Sequence, residues 1–323
     1  MNSTVKKVAF IVPEFPATSM TWLQSQITGL IDNGVAVDIY TLYKGSTDKV
    51  PETYFTYKLA DRSYNVDFPK NPIVRVFAAV PIVIALLVRH PKILVAVLNY
   101  KKYGKEALSL KLLFRIYPFV DKLHQYDLIH CHFGTVASKF ISVKEILGCT
   151  KPHLCTFYGY DISHITKSKG VHVYGGVIQH FDRFLVMSEN MKKRVVDQGF
   201  PTEKVFVHPI SIDVNSYPYK ERKLAEGEII KLSSVGRFVE KKGYNDLLRA
   251  MAIVKDADVP DFKFDLIGDG PLNNELRSLA VELNVEDIVD FRGFMKLEDI
   301  KDIYDKTHIY VQPSKTAADG DME

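Results

Sequence analysis

Within the eight residues Gly236-Arg237-Phe238-Val239-Glu240-Lys241-Lys242-Gly243, one guanidinium and two ammonium groups share a single short segment. Ahead of it, Ile229 to Val235 reads as a buried strand; after it, Tyr244 to Lys255 carries apolar residues at helical spacing. The segment is therefore a loop that feeds a helix start. A helix start presents unpaired backbone N–H groups and the positive end of the macrodipole, which together with three cations suits a diphosphate. The segment has no run of glycines to wrap phosphates and no Lys followed by Ser or Thr, so it differs from a P-loop. The chemistry expected is a grip on a departing diphosphate, not cleavage of a triphosphate. A solvated basic turn would carry the same residues, and the neighbouring patterns have to decide between the two.

A second group of polar residues falls at predicted strand ends in the first half. Asp127 to Gly134 reads as a strand with a polar tip at His130 and His132, and Pro152 to Phe157 as another ending in Tyr158-Gly159-Tyr160-Asp161. Adjacent strand ends would deliver His132, Tyr158 and Asp161 to one sheet edge, where ligands sit in open α/β folds. His130 and His132 are expected to point to opposite faces of their strand and so to make a poor joint metal site. Ser19 and Thr21, in the loop after the first predicted strand, either face a substrate or cap the next helix.

The elements that must position these residues form a regular series. Val5 to Pro13, Trp22 to Asn33 and Val35 to Tyr40 make a β-α-β start without the Gly-x-Gly-x-x-Gly of a dinucleotide fold. Phe181 to Met187 reads as a strand, Ser188 as the cap of the next helix, and Val205 to His208 as the last strand of the half. Residues 213–227 read as a linker. Phe262 to Ile267, Leu272 to Leu283, Ile288 to Phe291, Leu297 to Lys306 and Ile309 to Ser314 then continue the alternation, which implies a second parallel sheet. Only about four of its strands have accumulated by Glu323, so the second domain is expected to be incomplete.

Composition divides the chain in the same place. Residues 1–220 hold 27 Lys and Arg against 17 Asp and Glu, whereas residues 221–323 hold 15 against 22. Two domains with different partners are expected. The three cysteines show no metal-ligand spacing or disulfide framework, the first residues do not read as an export signal, and a reducing cytosol fits best. Residues 70–122 stand apart: ten Lys or Arg face only Glu106 and Asp121, among apolar runs. The longest uncharged apolar run, Val76 to Val88, is about 20 Å as a helix and too short to span. Pro81 and Arg89-His90-Pro91 are expected to divide it into short helices. Such helices either pack on the domain core or lie on an anionic membrane surface.

Four patterns stand in order in the second half: Gly236-Arg237 with Lys242-Gly243; Gly268-Asp269-Gly270-Pro271; Phe291-Arg292-Gly293-Phe294; and Gln312-Pro313-Ser314 followed by Thr316 to Glu323. Together they resemble the retaining glycosyltransferases of family 4, particularly bacterial members that build exopolysaccharide and lipopolysaccharide. The resemblance is looser in the first half. It implies an α/β chain of the GT-B class, with two Rossmann-like domains facing across a cleft: an acceptor domain over residues 1–212 and a nucleotide-sugar domain over 228–323. It also implies that Arg237 and Lys242 hold the donor diphosphate, with Gly236 and Gly268 in the same site. Gly293 and Phe294 would form a ledge for the nucleobase, and Glu323 would contact the donor sugar. The donor would be a UDP-sugar or GDP-sugar, the acceptor a saccharide or a lipid-linked saccharide, with neither a metal nor another cofactor and no nucleic acid among the partners. Asp319-Gly320-Asp321 reads as loop chemistry rather than a metal site. Tyr158 departs from the pattern, since many members have histidine there. Two alternatives follow: a non-catalytic partner of another glycosyltransferase, or a sugar-nucleotide epimerase. The expected place is the cytoplasm, with peripheral contact at the inner face of the plasma membrane.

Overall fold

The structure, a computed structural model, describes residues 5–17, 20–47, 50–212, 214–257 and 259–322. It divides into two compact units, residues 1–212 and 213–323.

The first unit is built on seven parallel strands: β1 (Lys7–Phe15), β2 (Ala36–Lys44), β3 (Ser63–Asn65), β4 (Leu128–His132), β5 (His153–Thr156), β6 (Arg183–Val186) and β7 (Val205–Val207), in the order β3-β2-β1-β4-β5-β6-β7. Strand order reverses between β1 and β4, which pair from Val8 opposite Leu128 to Ile11 opposite Cys131. Alternation along β1 explains the layers: Ala9 and Ile11 enter the core on one face, Val8, Phe10 and Val12 the core on the other. Both faces are covered, as a doubly wound sheet requires. The three-residue strand β3 lies in a stretch without a periodic signal, because an edge strand this short carries too few residues to show alternation.

Between β3 and β4 the chain makes an array of helices. The first, Pro72–Arg89, is one continuous helix of 18 residues with Pro81 inside it, so the expected division at Pro81 does not occur. Asn71 caps its start by accepting hydrogen bonds from the Ile73 and Val74 N–H groups. Pro81 is exposed, so its missing donor costs no buried partner, while Ala79 and Leu86 on the opposite flank pack into the core. The helix does stop at Arg89, and Pro91 starts the next one, Pro91–Val97.

The second unit has four parallel strands, β8 (Ile230–Val235), β9 (Phe262–Ile267), β10 (Val289–Gly293) and β11 (Ile309–Tyr310), in the order β10-β9-β8-β11. Its core joins Phe262, Phe264 and Leu266 of β9 to Leu247, Leu248 and Met251 of the helix Tyr244–Lys255. The stretch read as a linker is strapped to this unit. The Lys220 ammonium meets Asp305 at 2.5 Å, and the Arg222 guanidinium donates to the Asp305 and Tyr304 carbonyls. Cations placed there satisfy carbonyls left open at the end of the helix Leu297–Tyr304.

Candidate functional sites

Each unit carries a cluster of polar side chains and loops at the carboxyl ends of its strands. In the first unit the cluster is aromatic. The His132 Nδ1 lies 2.7 Å from the Tyr158 hydroxyl, and the Trp22 and Tyr158 rings are 4.1 Å apart. Phe133 is 4.9 Å from the Tyr158 ring. Trp22 is the chain's only tryptophan and stands in the first turn of the helix Thr21–Asp32, beside the loop where β1 ends. Trp22 is not among the candidates read from sequence; the structure adds it to Thr21, His132 and Tyr158. Thr21 is exposed, and the N-cap place is taken by Met20 without a side-chain hydrogen bond. Ser19 lies outside the described residues.

His130 and His132 do not point to opposite faces. Their rings stack at 4.1 Å, because residues two apart on a strand lie on the same face. His130 Nε2 is 2.7 Å from the Thr156 hydroxyl. Burial pushes the His130 imidazole down to about 3 and His132 well below its usual value, so both are neutral near pH 7. His132 is 0 % exposed and its Nε2 is buried with no hydrogen-bond partner. It supports Tyr158 from beneath and does not itself open to solvent.

Asp161, expected at the sheet edge, lies under it at 1 % exposure. Its Oδ2 accepts from the Gly134 N–H at 3.0 Å, and its Oδ1 from the N–H groups of Tyr158 and Gly159 at 3.1 and 3.2 Å. One carboxylate thereby joins the loops after β4 and β5. The join has backbone strain to hold, since Phe133 sits at φ 75° immediately before Gly134. Burial raises the Asp161 carboxyl to about 6 while the backbone donors pull the other way. The Asp161→Ala variant would leave three N–H groups without an acceptor and cost about 3 to 5 kcal/mol. Urea unfolding read by Trp22 fluorescence measures this. A loss below about 1 kcal/mol would contradict the joining role.

In the second unit the loop between β8 and the helix Tyr244–Lys255 runs through a short 3-10 turn at Glu240–Lys242. Gly236 makes room for Lys242, whose Cε and Cδ lie 3.2 and 3.4 Å from where a Cβ on Gly236 would stand. The Lys242 stem therefore folds back over Gly236, and Arg237, the next residue in the chain, is exposed. Among the described residues Arg237 makes no ion pair, whereas Lys241 pairs with Asp321 at 3.1 Å. Neighbouring lysines thus take different directions: the Lys241 ammonium reaches Asp321 in the later loop, and the Lys242 stem lies against Gly236 at the end of β8. Two glycines fix the path of the loops. A Cβ on Gly268, at φ 139°, would stand 1.9 Å from the Gly236 carbonyl oxygen, and one on Gly243, at φ 68°, 2.0 Å from that of Pro313. Gly243 also takes the N-cap place of the helix.

The Gly268 N–H donates to the Gly293 carbonyl at 2.9 Å, so the ends of β9 and β10 are tied together. Phe294 follows, half exposed. Arg292 is committed elsewhere, to Asp265 at 2.7 Å and Asp290 at 3.1 Å. Asp321 is held by Lys241 as described. Glu323 lies outside the described residues. Gly236 lies against both the Lys242 stem and Gly268, at the end of β8, the strand from which the order reverses toward β11.

The profile of Glycosyltransferase Family 4 matches residues 22–216, more than half of the chain, and that of Glycosyl transferases group 1 matches residues 218–320. The chain belongs to glycosyltransferase family 4. This glycosyltransferase is 30 % identical over 325 residues to WcaL of Escherichia coli (strain K12), assigned to colanic acid biosynthesis, covering 98 % of the chain and 77 % of that protein. It is 28 % identical to the amylovoran biosynthesis glycosyltransferase AmsK of Erwinia amylovora, with the same two coverages. Among solved structures, Anabaena Alr3699/HepE in complex with UDP-glucose matches with a TM-score of 0.65 at 15 % identity, covering 96 % of this chain and 74 % of the other. TarM matches with a TM-score of 0.65 at 13 % identity, covering 97 % and 81 %. At those identities the likeness is one of fold, and the fold of the glycosyltransferase is GT-B, with two Rossmann-like domains.

Proposed function

We propose that this glycosyltransferase moves a hexosyl unit, with retention of configuration, from a nucleoside diphosphate sugar to a saccharide or lipid-linked acceptor in exopolysaccharide synthesis. The observation that carries the reading is the loop after β8, where the Lys242 stem lies over Gly236 and the exposed Arg237 follows in sequence, ahead of a helix start. In this reading the two cations bind the donor diphosphate and balance the charge that builds on it as the glycosidic bond breaks. Phe294 and the Gly293 backbone carry the base, and Glu323 contacts the sugar. The first unit takes the acceptor at its Trp22, Thr21 and Tyr158 end. Tyr158 then acts as a hydrogen-bonding group: burial raises its hydroxyl far above the usual phenol range, so it is no base near pH 7. The exopolysaccharide assignment is supported by the names of the E. coli and Erwinia relatives, and a uridine donor by the UDP-glucose bound to the Anabaena protein. A guanosine donor is the other candidate.

The test offers UDP-sugars and GDP-sugars with and without a lipid-linked saccharide. Nucleoside diphosphate release that depends on the acceptor is expected. Sugar interconversion without acceptor would identify an epimerase, and neither activity a non-catalytic partner.

A further inference from the structure

The helix Pro72–Arg89 has two unlike flanks. Inward, Arg75, Ala79 and Leu86 are buried. The Arg75 guanidinium donates from each of its three nitrogens to a backbone carbonyl, of Pro69 at 2.8 Å, Lys70 at 3.0 Å and Ser109 at 3.1 Å. Outward, Ile73, Phe77, Val80, Ile84, Leu87 and Val88 form an exposed apolar stripe at heptad spacing, Phe77 at 73 % and Val88 at 76 % exposure. Exposed apolar residues continue after the helix at Val95, Leu98 and Leu108. An exposed apolar stripe of this kind marks an interaction site.

Charge identifies what covers it. Lys70 and Arg89 flank the two ends of the stripe, and Lys92, Lys101 and Lys105 follow; all five are exposed and make no ion pair among the described residues. The two acids of residues 70–122 are already engaged, Glu106 by Arg115 at 2.6 Å and Asp121 by His90 at 3.0 Å. A second copy of the chain docking through this face would bring two such sets of cations together. An anionic bilayer offers apolar chains to the stripe and phosphates to the cations.

By length and composition Pro72–Arg89 could also cross a membrane. Its inner flank excludes that orientation, because Arg75 is fastened to neighbouring backbone and Ala79 and Leu86 belong to the domain core. A helix packed on one side against a folded domain cannot be surrounded by lipid.

We propose that Pro72–Arg89 is an in-plane membrane-docking helix, its outer stripe seated at the headgroup boundary of an anionic bilayer and the cations around it on lipid phosphates. The surface would be the cytoplasmic face of the plasma membrane. The inference does not depend on the identity of the sugar donor.

Flotation of the full chain with phosphatidylglycerol–phosphatidylethanolamine vesicles, with phosphatidylcholine vesicles alongside, tests it. Co-flotation with the anionic vesicles at low salt and release at high salt are expected. Phe77→Asp with Ile84→Asp should cut the bound fraction about tenfold, and Lys92→Glu with Lys101→Glu and Lys105→Glu by a similar factor. All five positions are exposed, and unchanged Trp22 fluorescence checks folding. A wild-type chain that stays with the soluble fraction overturns the proposal, whatever the variants do. So does equal flotation with phosphatidylcholine, or binding that neither set of substitutions weakens. A dimer that Phe77→Asp with Ile84→Asp dissolves, without flotation, would assign the stripe to self-association instead.

Discussion

Replacing Arg237 or Lys242 by alanine is expected to lower kcat/KM for sugar transfer roughly 100-fold each, corresponding to about 3 kcal/mol of lost transition-state stabilisation. Both cations stand at the loop after β8, where a departing diphosphate would concentrate its charge. Arg237 is exposed and makes no ion pair among the described residues, so its removal leaves no buried partner uncompensated. The loss should therefore appear in rate and nucleotide affinity, with thermal stability unchanged. Lys242 differs in that its stem covers Gly236, so Lys242→Ala also removes packing. Lys241 supplies the internal control. It carries the same charge one residue away but points to Asp321 and not to Gly236, so Lys241→Ala should cost much less activity than Lys242→Ala. Arg237→Lys should recover only part of the rate, because an ammonium cannot reproduce the two-pronged contact of a guanidinium with phosphate oxygens. Isothermal titration with UDP and GDP, together with initial rates, checks all of these. Alanine variants that stay within about threefold of wild type would remove the diphosphate role from this loop.

The second large effect is acid lability of the first unit. Burial holds His130 at about 3 and His153 at about 4, against an ordinary 6.5, and His132 well below it. The unfolded chain takes up three protons as pH falls below 6.5, and the folded unit refuses them, so stability present above that pH is lost on acidification. Asp161 acts in the opposite sense. Its folded value of about 6 lies above the ordinary 3.8, so its contribution is complete below pH 4 and lost as pH rises to 6. Three histidines outweigh one aspartate. Near pH 5 the unfolded state binds about two more protons than the folded state, a slope of roughly 2.5 kcal/mol per pH unit. Urea midpoints followed by Trp22 fluorescence between pH 4 and 7 should fall steeply with acid. A flat profile would mean that the buried imidazoles titrate normally.

The alternation of elements was legible because apolar period, helix stops and caps agree along the chain. Ser188 shows this, since its hydroxyl accepts from the Met191 N–H as the sequence suggests. The loop of Arg237 and Lys242 was legible for the same reason: a strand, a short basic turn and a helix start lie within one stretch. What escaped depends on contacts between distant residues. Pro81 reads as a break, yet packing of Ala79 and Leu86 on the core overrides local preference. Asp161 reads as an acid at the sheet edge, and its bond to Gly134, 27 residues earlier, is not written in any local pattern. Trp22 meets Tyr158 across more than a hundred residues of sequence, which no local pattern records. The placing of His130 and His132 on opposite faces was a misapplied period, since a strand repeats every two residues.

The central place of β1 has a consequence for synthesis. Lys6 donates its N–H to Asp127, 121 positions later, and the sheet cannot close on that side until β4 has left the ribosome. Pro72–Arg89 emerges well before then, and translation of the intervening residues takes on the order of a few seconds. Throughout that interval the outer stripe is exposed, and Ala79 and Leu86 lack the core residues from β4 onward, such as Ile129 and Val136, that complete their cluster. The nascent chain thus offers its greasiest segment to chaperones or lipid before the domain has formed, so yield in a host should depend on how fast that segment is covered.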